Sequence, residues 1–540
     1  MVVTTPNPIH GPSAPHSSWS TVNLSEAVPG PVSPLGGSVW SPAGEVGGRI
    51  PFYAMGAIPK SKTAMPERPE DRILNVFYGR VALRVDFMCE MGDLVPGTSG
   101  EALGRQVFGF VPDSFVSRPS KRRYPVIAVK FPPTFLRVPS LIRRARATTG
   151  PWWTDEVART PKLDLTGARA QLEAGIDRFT TNLTLQATAI TCGIQLVYDQ
   201  LSLLAAKAGV DHAALMSGHG SHEETAVIDD LWEVSRDRLS LEQFVARHGY
   251  HGPFEGELSG VSWREDPAPL RKIVDGYRSM DDSASPAVVE AGRTAARREA
   301  EAKLLAAMPG AAGRAQAKLI LGLAGRYLPL RGVGKVAFLQ SLDVARAAAR
   351  RIGELLAADE VLAEPDDVFY LTAPEILGPP PANARDLVAE RREIRDGYRT
   401  VRLPMFWTGD PDYELIGDAV PEGAGDRGDG GRLTGVGVSA GVVLGPARVV
   451  TDPALAEMDP GDILVAHTTD PSWASLMFMA SALVVDIGGQ LSHAAVVARE
   501  LGIPCVMNTR DGTRVVRDGD RLRVDGGSGT VEILPRPGGE

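Results

Sequence analysis

Residues 482–506 read ALVVDIGGQLSHAAVVARELGIPCV, and this stretch decides how the C-terminal part of the chain folds. Ala482, Leu483, Val484 and Val485 make a continuous apolar run of strand length, closed by Asp486 and the glycines Gly488 and Gly489. Ser492 then has the character of an N-cap, residues 494–501 that of a helix body, Gly502 that of the C′ residue and Pro504 that of a stop. A buried strand therefore feeds a glycine turn and a helix start, where His493 stands. Free backbone N–H groups and the positive dipole end favour an anion there, the glycines allow close approach, and the Ser492 hydroxyl can donate. Imidazole is largely deprotonated near neutrality and is a competent nucleophile, so His493 is a candidate phosphoryl carrier. Taken alone, the SHAA tetrapeptide at 492–495 is equally compatible with a histidine that only packs the helix start.

Working outward, β-rich runs at 441–451, 462–466, 505–508, 521–524 and 530–534 surround this segment, and 473–485 reads as an internal helix followed by a buried strand. A compact α/β unit over residues 433–535 is expected, with a short tail at 536–540. Residues 418–432, DAVPEGAGDRGDGGR, carry five glycines, mixed charge and almost nothing to bury, which predicts a flexible linker. Upstream, helical periodicity marks 163–207, 287–308, 315–327 and 335–358. Residues 19–151 are irregular, with short candidate strands at 81–87 and 124–129, and residues 1–18 read as a disordered leader. The expected fold class is α/β multidomain: a mainly α domain over 19–417, then the α/β domain.

Composition narrows the function classes. Lys and Arg number 57 against 66 Asp and Glu, a net charge of −9, which argues against a broad nucleic-acid face, although local basic patches remain possible. Cys89, Cys192 and Cys505 lie far apart with no CxxC spacing, so neither a zinc ribbon nor a disulfide framework is expected, and a reducing cytoplasm is the natural compartment. The longest nearly apolar run, 473–485, is too short to cross a bilayer. Neither a nucleic-acid nor a membrane partner is expected.

The segment GGQLSHAAVVARELGIPCV resembles the phosphohistidine signature of the swivelling, or mobile, domain of phosphoenolpyruvate (PEP)-utilising enzymes, such as PEP synthase, pyruvate phosphate dikinase and rifampicin phosphotransferase. The resemblance extends through GVGVSAGVVLGPARVV at 435–450, GDILVAHTTDPSW at 461–473 and DGDRLRVDGGSGTVEIL at 518–534. It implies a swivelling β/β/α phosphohistidine domain in which His493 is phosphorylated. Gly488, Gly489 and Ser492 would form its phosphate loop, Arg499 would sit on the following helix, and Thr469 and Asp470 would match a Thr-Asp-Pro turn. Such a domain swings between two sites, for which a flexible linker is suited.

WSTVNLSEAVPGPVSPL at 19–35, RHGYHGPFEGELSGVSWREDP at 247–267 and EPDDVFYLTAPEI at 364–376 resemble, more weakly, the substrate-binding domain of rifampicin phosphotransferase. Where relatives commonly read Gly-His-Arg-Gly, this chain has Gly249-Tyr250-His251-Gly252, an imidazole in place of a guanidinium. His248, Tyr250, His251 and Glu255, with Glu257 nearby and Lys335 further on, are the acceptor-side candidates; the alternative is a hydrogen-bonded structural turn. The resemblance thus implies a phosphotransferase that passes a phosphoryl group from His493 to a small-molecule acceptor. No ATP-grasp region is recognised before Trp19 and no PEP-binding barrel after Leu534. The expectation is therefore that Mg²⁺ with ATP or PEP binds on a separate ATP-grasp-type donor chain. The alternative is a non-catalytic scaffold or regulatory subunit that retains the fold.

Three other patterns are set aside. GVGVSAG at 435–441 opens a β run and not a helix, so it is no dinucleotide fingerprint. Gly332-Val333-Gly334-Lys335 lacks the remaining Walker A residues. The pairs His219/His222 and His248/His251 fall in polar loops without HExxH spacing, so no fixed metal site is expected.

Overall fold

The computed structural model describes residues 7–535 apart from 23, 26, 217–221, 416–430, 452–455, 457, 470–472 and 489–491. The chain divides into two units, each assembled from separate segments. The first comprises Met1–Gly193, Phe254–Gly260 and Val333–Gly417; the second comprises Ile194–Pro253, Val261–Gly332 and Asp418–Glu540. The expectation of one acceptor domain over 19–417 is corrected here. Its central helices belong with the C-terminal sheet, because that is where their apolar faces are buried.

In the first unit, helix Pro34–Met55 starts at Ser33, whose Oγ accepts from Gly36 N, with proline at the first helical position. It packs along helix Leu165–Ala189. A four-stranded sheet runs in the order Leu74–Phe77, Arg80–Arg84, Ser18–Ser20, Phe406–Thr408, so strand Ser18–Ser20 pairs antiparallel on both sides. Residues 7–18 are thus not the disordered leader their Pro/Ser-rich composition suggests. Ile9 is buried, Asn7 Nδ2 donates to Tyr398 Oη, and Trp19 Nε1 donates to Ser13 Oγ.

The candidate strand at 124–129 is instead the start of helix Tyr124–Arg159, which contains Pro132, Pro133, Pro139 and Pro151. Buried Ile127, Val138, Ile142 and Trp153 recur at helical spacing, and that packing outweighs the donors the prolines remove. The strand expected at 81–87 ends at Arg84, where helix Val85–Leu94 begins. Lys335 and its glycines lie inside helix Leu330–Ala358. Further along that helix Arg346, 1% exposed, donates to the Asp343 carboxylate and to the carbonyls of Glu255 and Glu257. This pins the short 254–260 segment into the first unit.

The second unit joins helices Gln195–Ala208, His222–Ser235, Leu241–His248, Ala268–Arg278, Pro286–Ala307 and Gly310–Tyr327 to an eight-stranded sheet with its own short helices. The strand order is Arg432–Thr434, Thr530–Leu534, Arg521–Asp525, Val442–Val450, Ile463–Ala466, Ala482–Val485, Cys505–Met507, Val436–Ser439. The four strands from Val442–Val450 to Cys505–Met507 are parallel and agree with the sequence-expected positions. Helix Ala474–Met479 precedes strand Ala482–Val485, as the sequence predicts.

Alternate strand residues serve two cores: Ile463, Val465, Ala482 and Val484 face Leu522, Val524 and Val531, while Leu464, Ala466, Leu483 and Val485 face the helical side. The latter core continues without a break into Leu231, Trp232, Phe244, Trp263 and Tyr277. Tyr277 Oη donates to Ser475 O at 3.1 Å, and the Arg293–Glu500 ion pair closes at 2.5 Å. Most of the expected linker at 418–432 lies outside the described residues, and Arg432 already belongs to a strand. Residues Leu165–Ala208 form one helical run long and apolar enough to cross a membrane by length and composition, with half of its most apolar window buried, as in a core helix.

Replacing Arg346 by Met should cost about 3 kcal/mol, because it leaves Asp343 charged and buried and frees two carbonyls of the 254–260 segment. Chemical denaturation of the two proteins side by side checks this.

Candidate functional site

The site is built where the parallel strands end. Beyond strands Ile463–Ala466 and Ala482–Val485 the ladder runs on, Asp486 N donating to Ala466 O at 3.0 Å and Ile487 N to His467 O at 2.9 Å. The two following loops therefore leave the sheet side by side. Helix His493–Leu501 begins just after the second loop, with Ser492 as N-cap accepting from Ala495 N and Gly502 in the left-handed region at the other end. His493 is the first helical residue and is 3% exposed. Its Nδ1 lies 3.4 Å from the hydroxyl of Thr469, which comes from the neighbouring loop and is also buried.

Gly488 holds a φ of +151°, and a Cβ there would meet Met507 Cε at 2.2 Å. The same methionine accepts from Ser492 Oγ through its sulfur at 3.0 Å. The glycine is thus fixed both by its dihedral and by the side chain that seats the N-cap. Asp470 and Gly489, the other two expected loop residues, lie outside the described residues.

Arg499 follows His493 by six residues, about 9 Å along the helix axis. It is 8% exposed. Burial lowers its pKa, opposed by Tyr198, while the like charge of Arg331 lowers it further. His212 belongs to the same neighbourhood: burial and Arg499 hold its imidazole below the usual value, and its Nε2 lies 2.7 Å from Ser202 Oγ.

Sequence reasoning missed the group that anchors the loops. Asp486 is fully buried and accepts from Thr509 Oγ1 at 3.0 Å, Thr513 N at 3.2 Å and the Thr513 hydroxyl, with His467 Nδ1 at 3.3 Å. A carboxylate closing an all-apolar strand was the available signal, since such a charge stays buried only when hydrogen-bonded.

The acceptor-side candidates fall on both units. In the second unit, His248 Nε2 lies 2.8 Å from Asp230 Oδ2, and the buried rings of Tyr250 and His251 are 4.3 Å apart. In the first unit, Glu255 is 3% exposed with Lys335 Nζ at 4.0 Å. Glu257 is structural there, accepting from Ser33 N at 3.1 Å and Ser259 N at 3.0 Å. His219 lies outside the described residues, and no three His, Cys, Asp or Glu side chains converge to hold a metal ion among those described.

Two family descriptions match this chain: the mobile domain of PEP-utilising enzymes over residues 458–529, and the rifampicin phosphotransferase fourth domain over residues 197–332. The first match contains the whole Thr469–Asp486–His493 arrangement. Residues 458–529 thus match the mobile domain of PEP-utilising enzymes. The second match coincides closely with the helical part of the unit that holds the mobile domain.

The chain is 34% identical over 325 residues to the rifampicin phosphotransferase of Streptomyces sviceus, covering 58% of this chain and 36% of that protein. It is 27% identical over 309 residues to the rifampicin phosphotransferase of Bacillus subtilis, covering 56% and 35%. It is 32% identical over 287 residues to a protein of Mycobacterium tuberculosis described as uncharacterised, covering 53% and 30%. The chain spans about a third of the length of the curated relatives it matches.

Two outcomes are expected. Gly488→Ala should destabilise the mobile domain by about 1–3 kcal/mol. Adding Met507→Ala should restore only part of the thermal midpoint, since the overlap is relieved and the dihedral is not. The second outcome concerns pH. Burial holds His248 below the usual imidazole value against the pull of Asp230, and the His248 hydrogen bond holds Asp230 below the usual carboxylate range. The unfolded chain binds more protons at both groups, so their contribution falls as pH drops: first below the ordinary histidine value, then through the carboxylate range. The melting temperature should decline from about pH 7 to about pH 5, and His248→Asn should flatten the upper part of that decline.

Proposed function

We propose that this chain is a phosphotransferase component that takes a phosphoryl group onto Nε2 of His493 and passes it to an oxygen of a small-molecule acceptor. The donor reaction, with Mg²⁺ and ATP or PEP, belongs to a separate ATP-grasp-type chain. The observation that carries the reading is the position of the His493 imidazole, on the first turn of a capped helix at the carboxyl ends of parallel strands, with Nδ1 facing the Thr469 hydroxyl. When Nδ1 is protonated and donates to Thr469 Oγ1, the lone pair lies on Nε2. Nε2 attacks phosphorus, the N–P bond forms as the P–O bond to the donor breaks, and the donor oxygen leaves with the electron pair. First-turn amides and the helix dipole stabilise the phosphoryl oxygens.

In the second step the acceptor oxygen attacks phosphorus, the N–P pair returns to Nε2, and the acceptor proton passes to a base. Glu255, beside Lys335, and His251 are the candidate bases. The rifampicin phosphotransferases among the relatives support a small molecule as acceptor. Cys89, Cys192 and Cys505 are all free, which supports a reducing, cytoplasmic location.

Intact mass under non-acidic conditions tests the carrier role, after incubation with ATP or PEP and Mg²⁺, with and without cell extract. One added phosphoryl group in the wild type, absent in His493→Ala, is expected, with dependence on extract. Thr469→Val should slow its appearance roughly tenfold, through loss of the contact that orients the imidazole. No addition under any condition would replace this reading by that of a scaffold or regulatory subunit.

A further inference from the structure

Between Asp113 and Asp155 the chain contains no acidic residue and nine Lys or Arg, in a protein whose net charge is −9. Most of this segment is helix Tyr124–Arg159. Its inner face is held by Ile127, Val138 and Ile142, yet large apolar side chains also point outward: Val129 is 74% exposed, Leu136 60% and Leu141 44%. At about 100° per residue, Val126, Val129, Pro133, Leu136 and Ser140 fall on one outer stripe of helix Tyr124–Arg159, and Arg137, Arg143 and Arg144 lie along it or beside it. All of these residues except Val126 and Val129 are polar, proline or leucine, and none is aromatic.

We propose that this stripe binds an anionic lipid bilayer surface, the apolar side chains entering the headgroup boundary and the arginines meeting lipid phosphates. A basic helix with apolar side chains among its cations is the pattern that lies on charged membranes, each Lys or Arg near the surface adding attraction. Nucleic acid would use the cations and gain nothing from Val129 and Leu136. A protein partner would call for aromatic anchors and a recess, whereas this face is a convex helix carrying Val, Leu and Pro. The acidic balance of the whole chain, which argues against such a surface, averages over this segment and hides it.

The test is co-sedimentation of the full chain with vesicles of phosphatidylglycerol and phosphatidylcholine, against vesicles of phosphatidylcholine alone. Binding should require the anionic lipid and fall with added salt. It should weaken roughly tenfold in Val129→Asp/Leu136→Asp and in Arg143→Glu/Arg144→Glu. Leu319→Asp, at a side chain 62% exposed on helix Gly310–Tyr327, should bind as the wild type does. Unchanged thermal midpoints in the variants exclude misfolding as the cause. Absence of binding, equal binding to neutral vesicles, or equal binding by the stripe variants would each overturn the proposal. Capture by soluble polyglutamate without vesicle binding would assign the stripe to an acidic polypeptide instead.

Discussion

The structure of the second unit depends on one constraint: a parallel sheet with two apolar faces must be covered on both. Antiparallel strands Arg521–Asp525 and Thr530–Leu534 supply the side chains that cover one face. Helices Ala474–Met479 and His493–Leu501 cover the other, yet their own outer surfaces carry Leu476, Met477, Phe478 and Val497. A two-layer module would leave those side chains in water, so the layer is completed by Leu231, Trp232 and Tyr277 from helices far earlier in the chain. This explains why a domain boundary read from the glycine-rich 418–432 segment is not a boundary of packing. Composition marks where a chain has little to bury; it does not say which surfaces on either side bury each other.

The same sheet fixes the chemistry. Parallel strands leave their carboxyl ends at one edge, and the extension of the ladder to Asp486 and Ile487 brings two loops into register past that edge. Thr469 and His493 are 24 positions apart, and they meet because these loops run together. Asp486 holds the arrangement by tying one loop to Thr509 and Thr513 beyond the next strand. The loop between Val485 and His493 is thus anchored by rigid elements, and among its described residues Gly488 alone has a positive φ.

Legibility in the sequence followed the strength of local signals. The strands around 463–466, 482–485 and 505–507 and helix His493–Leu501 were readable because apolar runs, cap, left-handed glycine and stop agree at every level. Helix Tyr124–Arg159 was not, since four internal prolines speak against it and only tertiary packing of Ile127, Val138 and Ile142 speaks for it. Residues 7–18 escape the sequence reading for the converse reason: Pro and Ser dominate, and buried Ile9 with a strand at Ser18–Ser20 paired on both sides supplies the order. At the site, the candidate carrier His493 was visible through its motif. The acceptor-side candidates lie where the chain crosses from one unit to the other, and local sequence carries no sign of that crossing.

The proposed carrier role meets a physical tension in this arrangement. In-line attack on phosphorus needs an unobstructed approach to Nε2, and His493 is 3% exposed. Phosphorylation therefore requires that the surroundings of the helix start open. Within the second unit, helix His493–Leu501 is packed into the apolar layer that contains Trp232, Tyr277 and Phe478, and is tied to it by the Arg293–Glu500 ion pair, with the Tyr277–Ser475 hydrogen bond close by in the same layer. The ion pair is buried on both sides, so separating it requires both groups to regain water, and its net contribution to the closed form is small. The apolar layer has no such compensation, since parting it exposes aromatic surface outright. Freeing helix His493–Leu501 from this layer, as the proposed carrier role would require, would therefore cost mainly the uncovering of Trp232, Tyr277 and Phe478, more than the parting of the charges that bridge the same surfaces.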